Sequence, residues 1–171
     1  MKFSLPSRKA VFRFAMEALV VLVIFFAVQA WLQRDMAKGP VPDFAAQTVS
    51  GGHVNAASLH GRTHLVYFWA DWCPVCKLQR PAVRELAEDW PVLTVAMQSG
   101  DAAAVRTAMQ KASLDWQTIA DQDGSFSRQW GVLAVPSLFV VDSAGEIRFA
   151  ERGYTSGWGM RLRLWWASLS S

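Results

Sequence analysis

Hydrophobic residues in this chain form one long run near the N-terminus and several short runs after it. The long run covers residues 14–32 and is interrupted only by Glu17 and Gln29. A helix of about 20 apolar residues crosses the hydrocarbon core of a bilayer. The pattern therefore predicts a transmembrane helix over residues 14–32, preceded by a short segment of residues 1–13.

Positive charge before this run predicts its orientation. Four basic residues precede the apolar run: Lys2, Arg8, Lys9 and Arg13. Basic residues ahead of a first span favour a cytoplasmic N-terminus. We therefore expect residues 1–13 to stay in the cytoplasm and the rest of the chain to be exported, which in a bacterium places a single-pass protein in the inner membrane with its domain in the periplasm.

A cleavable signal peptide is the alternative interpretation of the same run. The tripeptide Val28-Gln29-Ala30 resembles a cleavage site with small residues at both ends. Trp31, however, stands at the outer boundary of the run, where tryptophan anchors retained helices. The domain that follows is exported under either interpretation.

Short apolar runs after the linker predict a folded domain of strands and helices. Gly39, Pro40 and Pro42 predict a linker over residues 33–42, so we expect the domain to cover residues 43–171. Continuous apolar runs typical of buried strands cover residues 65–69, 92–97 and 138–141. The composition of residues 81–90, 102–112 and 161–168 is typical of helices, and Asp101 is the predicted N-cap of the second. Residues 142–145 predict a hairpin turn. This order predicts an α/β sandwich with a mixed central β-sheet.

The distribution of charge argues against nucleic-acid binding. The formal net charge is +3, but residues 1–39 hold six Lys and Arg against two acids, whereas residues 40–171 hold eleven against twelve. A nucleic-acid-binding domain needs a basic surface. The exported domain lacks this excess, so we expect no nucleic acid among its partners.

The only two cysteines of the chain, Cys73 and Cys76, lie at the junction between a predicted strand and a predicted helix. A helix N-terminus exposes unpaired amide hydrogens that stabilise a thiolate. We therefore predict that Cys73 is the nucleophile, and that Cys76, one turn later, attacks the mixed disulfide that Cys73 forms. Pro74 suits the first helical turn because its missing amide hydrogen costs little there.

Three other interpretations of the cysteine pair compete with redox chemistry. A structural zinc site needs four ligands, and the sequence has no second cysteine pair, so we expect no metal. A purely structural disulfide usually closes a longer loop. Two unrelated buried thiols would leave the position at a strand–helix junction unexplained. Redox chemistry is the preferred interpretation.

The segment FWADWCPVC at residues 68–76 resembles the active site of the thioredoxin superfamily. Residues 42–166 resemble its membrane-anchored periplasmic branch of TlpA/ResA type, and most closely the thioredoxin-like proteins of suppressor-of-copper-sensitivity systems. Supporting segments are PDF at 42–44, DQDGSFSRQWGV at 121–132, VPS at 135–137 and VVDSAGEI at 140–147. The resemblance implies a thioredoxin-like three-layer sandwich and thiol–disulfide oxidoreductase activity. It also implies a cis peptide bond between Val135 and Pro136, facing the cysteines.

The resemblance also implies substrate-binding residues and tuning residues. Trp72, Val135 and Pro136 are expected to contact an extended peptide, and the dipeptide Pro74-Val75 to tune the redox balance. Two positions depart from the pattern: Tyr67 and Gln79 stand where many relatives have a carboxylate that moves the proton of the second thiol. Neither residue is a base near neutral pH, so they either tune the site differently or fill space. Lys77 and Arg80 follow the motif on the helix, where they either favour the Cys73 thiolate or form a solvated charged face, which is the commoner arrangement.

The direction of electron flow is left open by the motif. The resemblance favours a reductase or electron relay for exported proteins, fed by a membrane electron donor and linked to copper tolerance or cytochrome c maturation. A disulfide-donating oxidant and a Cu(I)-handling module are the alternatives, since two thiolates can hold Cu(I). We expect protein thiols and disulfides and the lipid bilayer as partners, and no cofactor beyond the Cys73–Cys76 disulfide.

Overall fold

The structure, a computed structural model, describes residues 8–169. The chain consists of two compact units, Met1–Arg34 and Asp35–Ser171. The predicted cytoplasmic segment, residues 1–13, lies partly outside the described residues. The helices of the chain are α1 (Arg8–Leu32), α2 (Pro74–Asp89), α3 (Ala102–Lys111), α4 (Ser125–Gln129) and α5 (Gly157–Leu169). The strands are β1 (Gly39–Pro40), β2 (Ala45–Gln47), β3 (His53–Asn55), β4 (His64–Trp69), β5 (Val92–Met97), β6 (Gln117–Asp121), β7 (Ser137–Val141) and β8 (Glu146–Arg152).

The first unit consists of helix α1. An 18-residue window within it, Val11–Val28, is long and apolar enough to cross a membrane, and none of it is buried by protein. Arg13 and Glu17 stand one turn apart and form an ion pair with a distance of 3.1 Å between Nε and Oε1. A helix with exposed apolar side chains suits a lipid environment better than water.

The second unit is built on a six-stranded mixed sheet with the strand order β1-β8-β7-β4-β5-β6. Strands β4, β5 and β6 pair in parallel, and β7 pairs antiparallel with both β4 and β8. The predicted α/β fold with a mixed sheet is therefore confirmed. Strands β2 and β3 form a separate two-stranded hairpin.

The core has two parts because side chains alternate across the pleat of each strand. In β4, Leu65, Tyr67 and Trp69 belong to the part that includes residues of α2, α3 and α5. Val66 and Phe68 belong to the other part, with Trp130 and residues of the N-terminal segment. The sheet is thus covered on both faces, as a three-layer sandwich requires.

The predicted linker over residues 33–42 differs from the structure. Met36 is only 3% exposed, and the amide of Ala37 donates to the carbonyl of Trp130 at 3.0 Å. Gly39 and Pro40 form β1 and pair with β8. At Gly131 a Cβ atom would lie 1.7 Å from the Asp35 carbonyl oxygen, so the segment packs directly on the domain. The folded unit therefore begins near Asp35 rather than Asp43, because one buried methionine and strand pairing hold the Gly-Pro segment in place.

Helix α5 presents apolar residues on two opposite faces. Met160, Leu164 and Ala167 are buried against the domain. Large apolar residues on the other side are exposed, including Trp158 at 84% and Trp165 at 51%. The smaller side chains of this helix therefore face the core, and Trp165 and Trp166 do not pack into it.

Candidate active site

The cysteine pair lies where strand β4 ends and helix α2 begins. Strand β4 is buried between β5 and β7, and it ends at Trp69. Cys73 is the N-cap of α2 with an extended backbone, and Pro74 occupies the first helical turn. The amide of Cys76 donates to Cys73 Sγ at 3.1 Å. An amide hydrogen directed at this sulfur stabilises negative charge on it.

Cys73 and Cys76 form a disulfide, with their Cα atoms 5.3 Å apart. Cys73 is 3% exposed and Cys76 is fully buried. Both residues are buried, but Cys73 keeps a small exposed fraction and Cys76 has none, which fits a pair in which Cys73 attacks and Cys76 resolves. That division of labour stays a prediction.

The segment before β7 faces the disulfide. The carbonyl oxygen of Val135 lies 3.6 Å from Cys73 Sγ, and the Val135–Pro136 peptide bond is cis, as the resemblance implies. Val135 is half-buried and Pro136 is buried. The amide of Gly153 donates to the Pro136 carbonyl at 2.8 Å, which ties this segment to the end of β8. The structure thus brings the two segments of the predicted site together.

Exposed apolar side chains surround Cys73. Trp72 is 58% exposed, Val75 is 38% exposed and Leu133 is 60% exposed. The indole Nε1 of Trp72 donates to the Gln98 carbonyl at 3.1 Å, which fixes the ring while leaving its face open. Pro74 is also exposed. Trp72, Pro74 and Val75 adjoin Cys73 in the chain and offer an exposed apolar surface to a flexible peptide, and Leu133 lies two residues before Val135.

Both polar atoms of the Gln79 side-chain amide form hydrogen bonds. Its Oε1 accepts from the Thr155 amide at 3.2 Å, and its Nε2 donates to Met160 Sδ at 3.7 Å. Gln79 is fully buried and so joins α2 to the start of α5. The neutral amide is satisfied there and offers no proton-accepting group to Cys76.

Tyr67 is fully buried in β4, and its hydroxyl has no hydrogen-bond partner within residues 8–169. Its ring packs edge-on against Trp116, with centroids 6.1 Å apart. Burial raises the pKa of Tyr67 well above its ordinary value, and the Arg80 guanidinium opposes part of that rise. The phenol therefore stays protonated near neutral pH and cannot act as a base.

Arg80 differs from the expected solvated position. Its Nε is buried without a hydrogen-bond partner in the described part of the chain, and its guanidinium carbon lies 5.3 Å from the Trp69 ring centroid. Helical spacing from Cys76 was the only signal in the sequence for this inward orientation. Lys77, in contrast, is exposed.

Metal-binding side chains are dispersed in the described residues. Among residues 8–169 no group of three or more His, Cys, Asp or Glu side chains is placed to hold a metal ion. His64 instead contacts the Arg62 carbonyl through Nδ1 at 2.7 Å, and burial lowers its pKa.

Comparisons with known proteins agree with this geometry. The Redoxin family model matches residues 36–158. A "Thioredoxin-like protein" of Haemophilus influenzae is 27% identical over 86% of this chain and 89% of its own length. The "Thiol:disulfide interchange protein DsbE" of Pseudomonas fluorescens is 31% identical over 75% of this chain and 80% of its own.

A solved structure extends the same likeness to the fold. DsbF of Mycobacterium tuberculosis, in mixed oxidized and reduced forms, superimposes with a TM-score of 0.68 at 27% identity, covering 74% of this chain and 96% of that one. The chain therefore belongs to the redoxin family and is a thiol–disulfide oxidoreductase with a thioredoxin-like fold.

Proposed function

We propose that the protein is a periplasmic reductase or electron relay that acts on disulfides of exported proteins. The observation that carries this proposal is the asymmetry of the pair: Cys73 is the N-cap of α2 and keeps a small exposed fraction between the exposed Trp72 and Pro74, whereas Cys76 is fully buried. An accessible sulfur at a helix start can react with the disulfide of another protein. A fully buried sulfur can react only with its partner cysteine.

The reaction transfers two electrons from the cysteine pair to the substrate. The Cys73 thiolate attacks one sulfur of the substrate disulfide, and the other substrate sulfur leaves as a thiolate and takes up a proton. Cys76 then loses its proton to water and attacks Cys73 Sγ. This step releases the second substrate thiolate and forms the Cys73–Cys76 disulfide, so the pair is oxidised and the substrate is reduced.

Substrate binding is proposed to use Trp72, Val135 and Pro136. An extended peptide is proposed to pair with the backbone of Val135 while its side chains contact the Trp72 ring. The fixed indole and the short distance between Val135 and Cys73 Sγ support this arrangement. Pro74 and Val75, at the exposed start of α2, adjust the balance between thiolate and disulfide.

Localisation and partners follow from helix α1. We place a retained anchor over residues 14–32 in the bacterial inner membrane, with the domain in the periplasm and a membrane electron donor that returns it to the dithiol form. The apolar window Val11–Val28 supports a span by length and composition. A link to copper tolerance or cytochrome c maturation rests on the resemblance of the sequence to periplasmic TlpA/ResA-type and suppressor-of-copper-sensitivity proteins.

The reduction potential of the pair tests the direction of electron flow. A reductase or relay is expected at or below about −200 mV, between glutaredoxins and thioredoxin, and a value near −120 mV would assign the oxidant instead. Equilibration with glutathione buffers, followed by thiol alkylation, gives this value. Repeating the titration with Cu(I) separates the third alternative, because a copper-handling module would bind the dithiol tightly and shift the apparent potential.

Membrane fractionation tests the anchor. If residues 14–32 are retained, carbonate washing of membranes should leave the full-length protein in the pellet, because a spanning helix is not released by high pH. The N-terminus of the recovered protein should be that of the full chain. A shorter soluble product that begins near Trp31 would show that the segment is a signal peptide.

A further inference from the structure

Arg80 is a half-buried cation on the same helix as Cys76, one turn after it. Its guanidinium carbon lies 5.3 Å from the Trp69 ring centroid, within the range of a cation–π contact. Its Nε is buried and has no hydrogen-bond partner in residues 8–169. A buried N–H group without an acceptor is costly, so its position calls for a reason.

The surroundings of Arg80 contain further donors without partners. The Tyr67 hydroxyl and the Trp116 Nε1 are buried, and neither has a hydrogen-bond partner in the described part of the chain. Tyr67 packs against Trp116, Trp116 packs against Trp69, and Arg80 lies over Trp69. The cluster is therefore positively charged and rich in donors, which suits a negative charge nearby.

Cys76 is where negative charge must appear during turnover. It shares the buried core with Tyr67 and Trp69, and it is fully buried. Residues four apart on a helix have their Cβ atoms about 5–6 Å from each other, so Arg80 follows Cys76 on the same side of α2. Burial disfavours the thiolate form of a cysteine, whereas a nearby cation favours it.

We propose that Arg80 is the cation that stabilises the Cys76 thiolate while Cys73 is bound to a substrate. The inference rests on the proposed function, because it concerns the step in which Cys76 resolves the mixed disulfide. The Cys76 proton leaves to water, its sulfur bonds to Cys73 Sγ, and the substrate sulfur departs as a thiolate that is protonated by solvent. Arg80 does not react and takes up no proton.

The other ionisable groups around the pair do not provide this charge. Tyr67 on β4 is a protonated phenol, Gln79 on α2 is a neutral amide, and its partner Met160 on α5 is uncharged. The other charged residues on these elements are Asp71 before α2, Lys77, Arg84, Glu85, Glu88 and Asp89 on α2, Glu146, Arg148, Glu151 and Arg152 on β8, and Arg161 and Arg163 on α5. Arg84 donates to the Ala112 carbonyl, Arg161 pairs with Asp89, and Arg163 pairs with Glu151. Lys77 is exposed, and Arg152 donates to the Gly131 carbonyl at 3.2 Å.

The test measures the pKa of Cys76 alone, in the full chain carrying Cys73→Ser. Ultraviolet absorbance of the thiolate is followed against pH with Arg80 present and with Arg80→Met. Removing the cation should raise the pKa of Cys76 by about 1–3 units, the range expected for losing an opposite charge at short distance. Arg80→Lys should recover part of the shift, since it keeps the charge but not the planar contact with Trp69.

Two further variants separate charge from structure. Arg80→Gln keeps N–H donors but removes the charge, so the pKa of Cys76 should rise in it as it does in Arg80→Met. It replaces Arg80→Met in the experiment if that variant does not fold. Lys77→Met removes an exposed charge from the same helix and should leave the pKa of Cys76 nearly unchanged because solvent screens that charge. An equal pKa in the Arg80 and Arg80→Gln proteins would overturn the inference. The measurement needs no turnover, so it stands or fails separately from the proposed reductase activity.

Discussion

Replacing Cys73 with serine is expected to reduce thiol–disulfide exchange by about three orders of magnitude or more. A serine hydroxyl is not ionised near neutral pH and cannot form the mixed disulfide, whereas the Cys73 sulfur at the start of α2 receives an amide hydrogen from Cys76 at 3.1 Å. Reduction of insulin disulfides by the protein in the presence of a thiol regenerant measures the loss.

The control for this substitution is Cys76→Ser, which removes the same disulfide. The two variants should therefore unfold at similar temperatures, and any difference in chemistry between them reflects the positions of the sulfurs. If Cys73→Ser kept most of the activity, the nucleophile would have to be Cys76, which is fully buried. That result would contradict the assignment.

Buried strands were the most predictable part of the fold. Residues 92–97 were expected as a strand and form β5 (Val92–Met97), because continuous apolar runs have few alternatives in a sheet covered on both faces. Asp101 was expected as an N-cap, and its Oδ1 accepts from the Ala104 amide at 2.8 Å. Local chemistry determined both features, so the sequence was sufficient for them.

Strand β6 (Gln117–Asp121) was missed because its pattern is not continuously apolar. Thr118 is buried, but its hydroxyl lies 2.7 Å from that of Thr94 on β5. The two threonines are polar in the sequence, but they are buried in the core because their hydroxyls hydrogen-bond to each other across neighbouring strands. Strands β1 to β3 were missed for a related reason, since they are at most three residues long and depend on pairing with distant segments.

The predicted site residues were brought together, but their surroundings could not be predicted. The motif placed Cys73 beside Cys76, and the resemblance placed Val135 opposite them. Nothing local indicated that Gln79 would join α2 to α5, or that Arg80 would lie over Trp69. The orientation of a long polar side chain depends on the groups that lie beside it in the fold. Those groups belong to other elements, so the local sequence does not reveal them.

Trapping of a mixed disulfide by Cys76→Ser tests the central claim most directly. Without the resolving thiol, a substrate joined to Cys73 cannot be released by attack from within the protein. We predict that Cys76→Ser, expressed in full length and quenched with acid, will carry covalently bound partner proteins that a reductant releases, and that mass spectrometry will locate the bond at Cys73. The matched Cys73→Ser variant should trap none. Equal trapping by both variants, or trapping through Cys76 alone, would contradict the account.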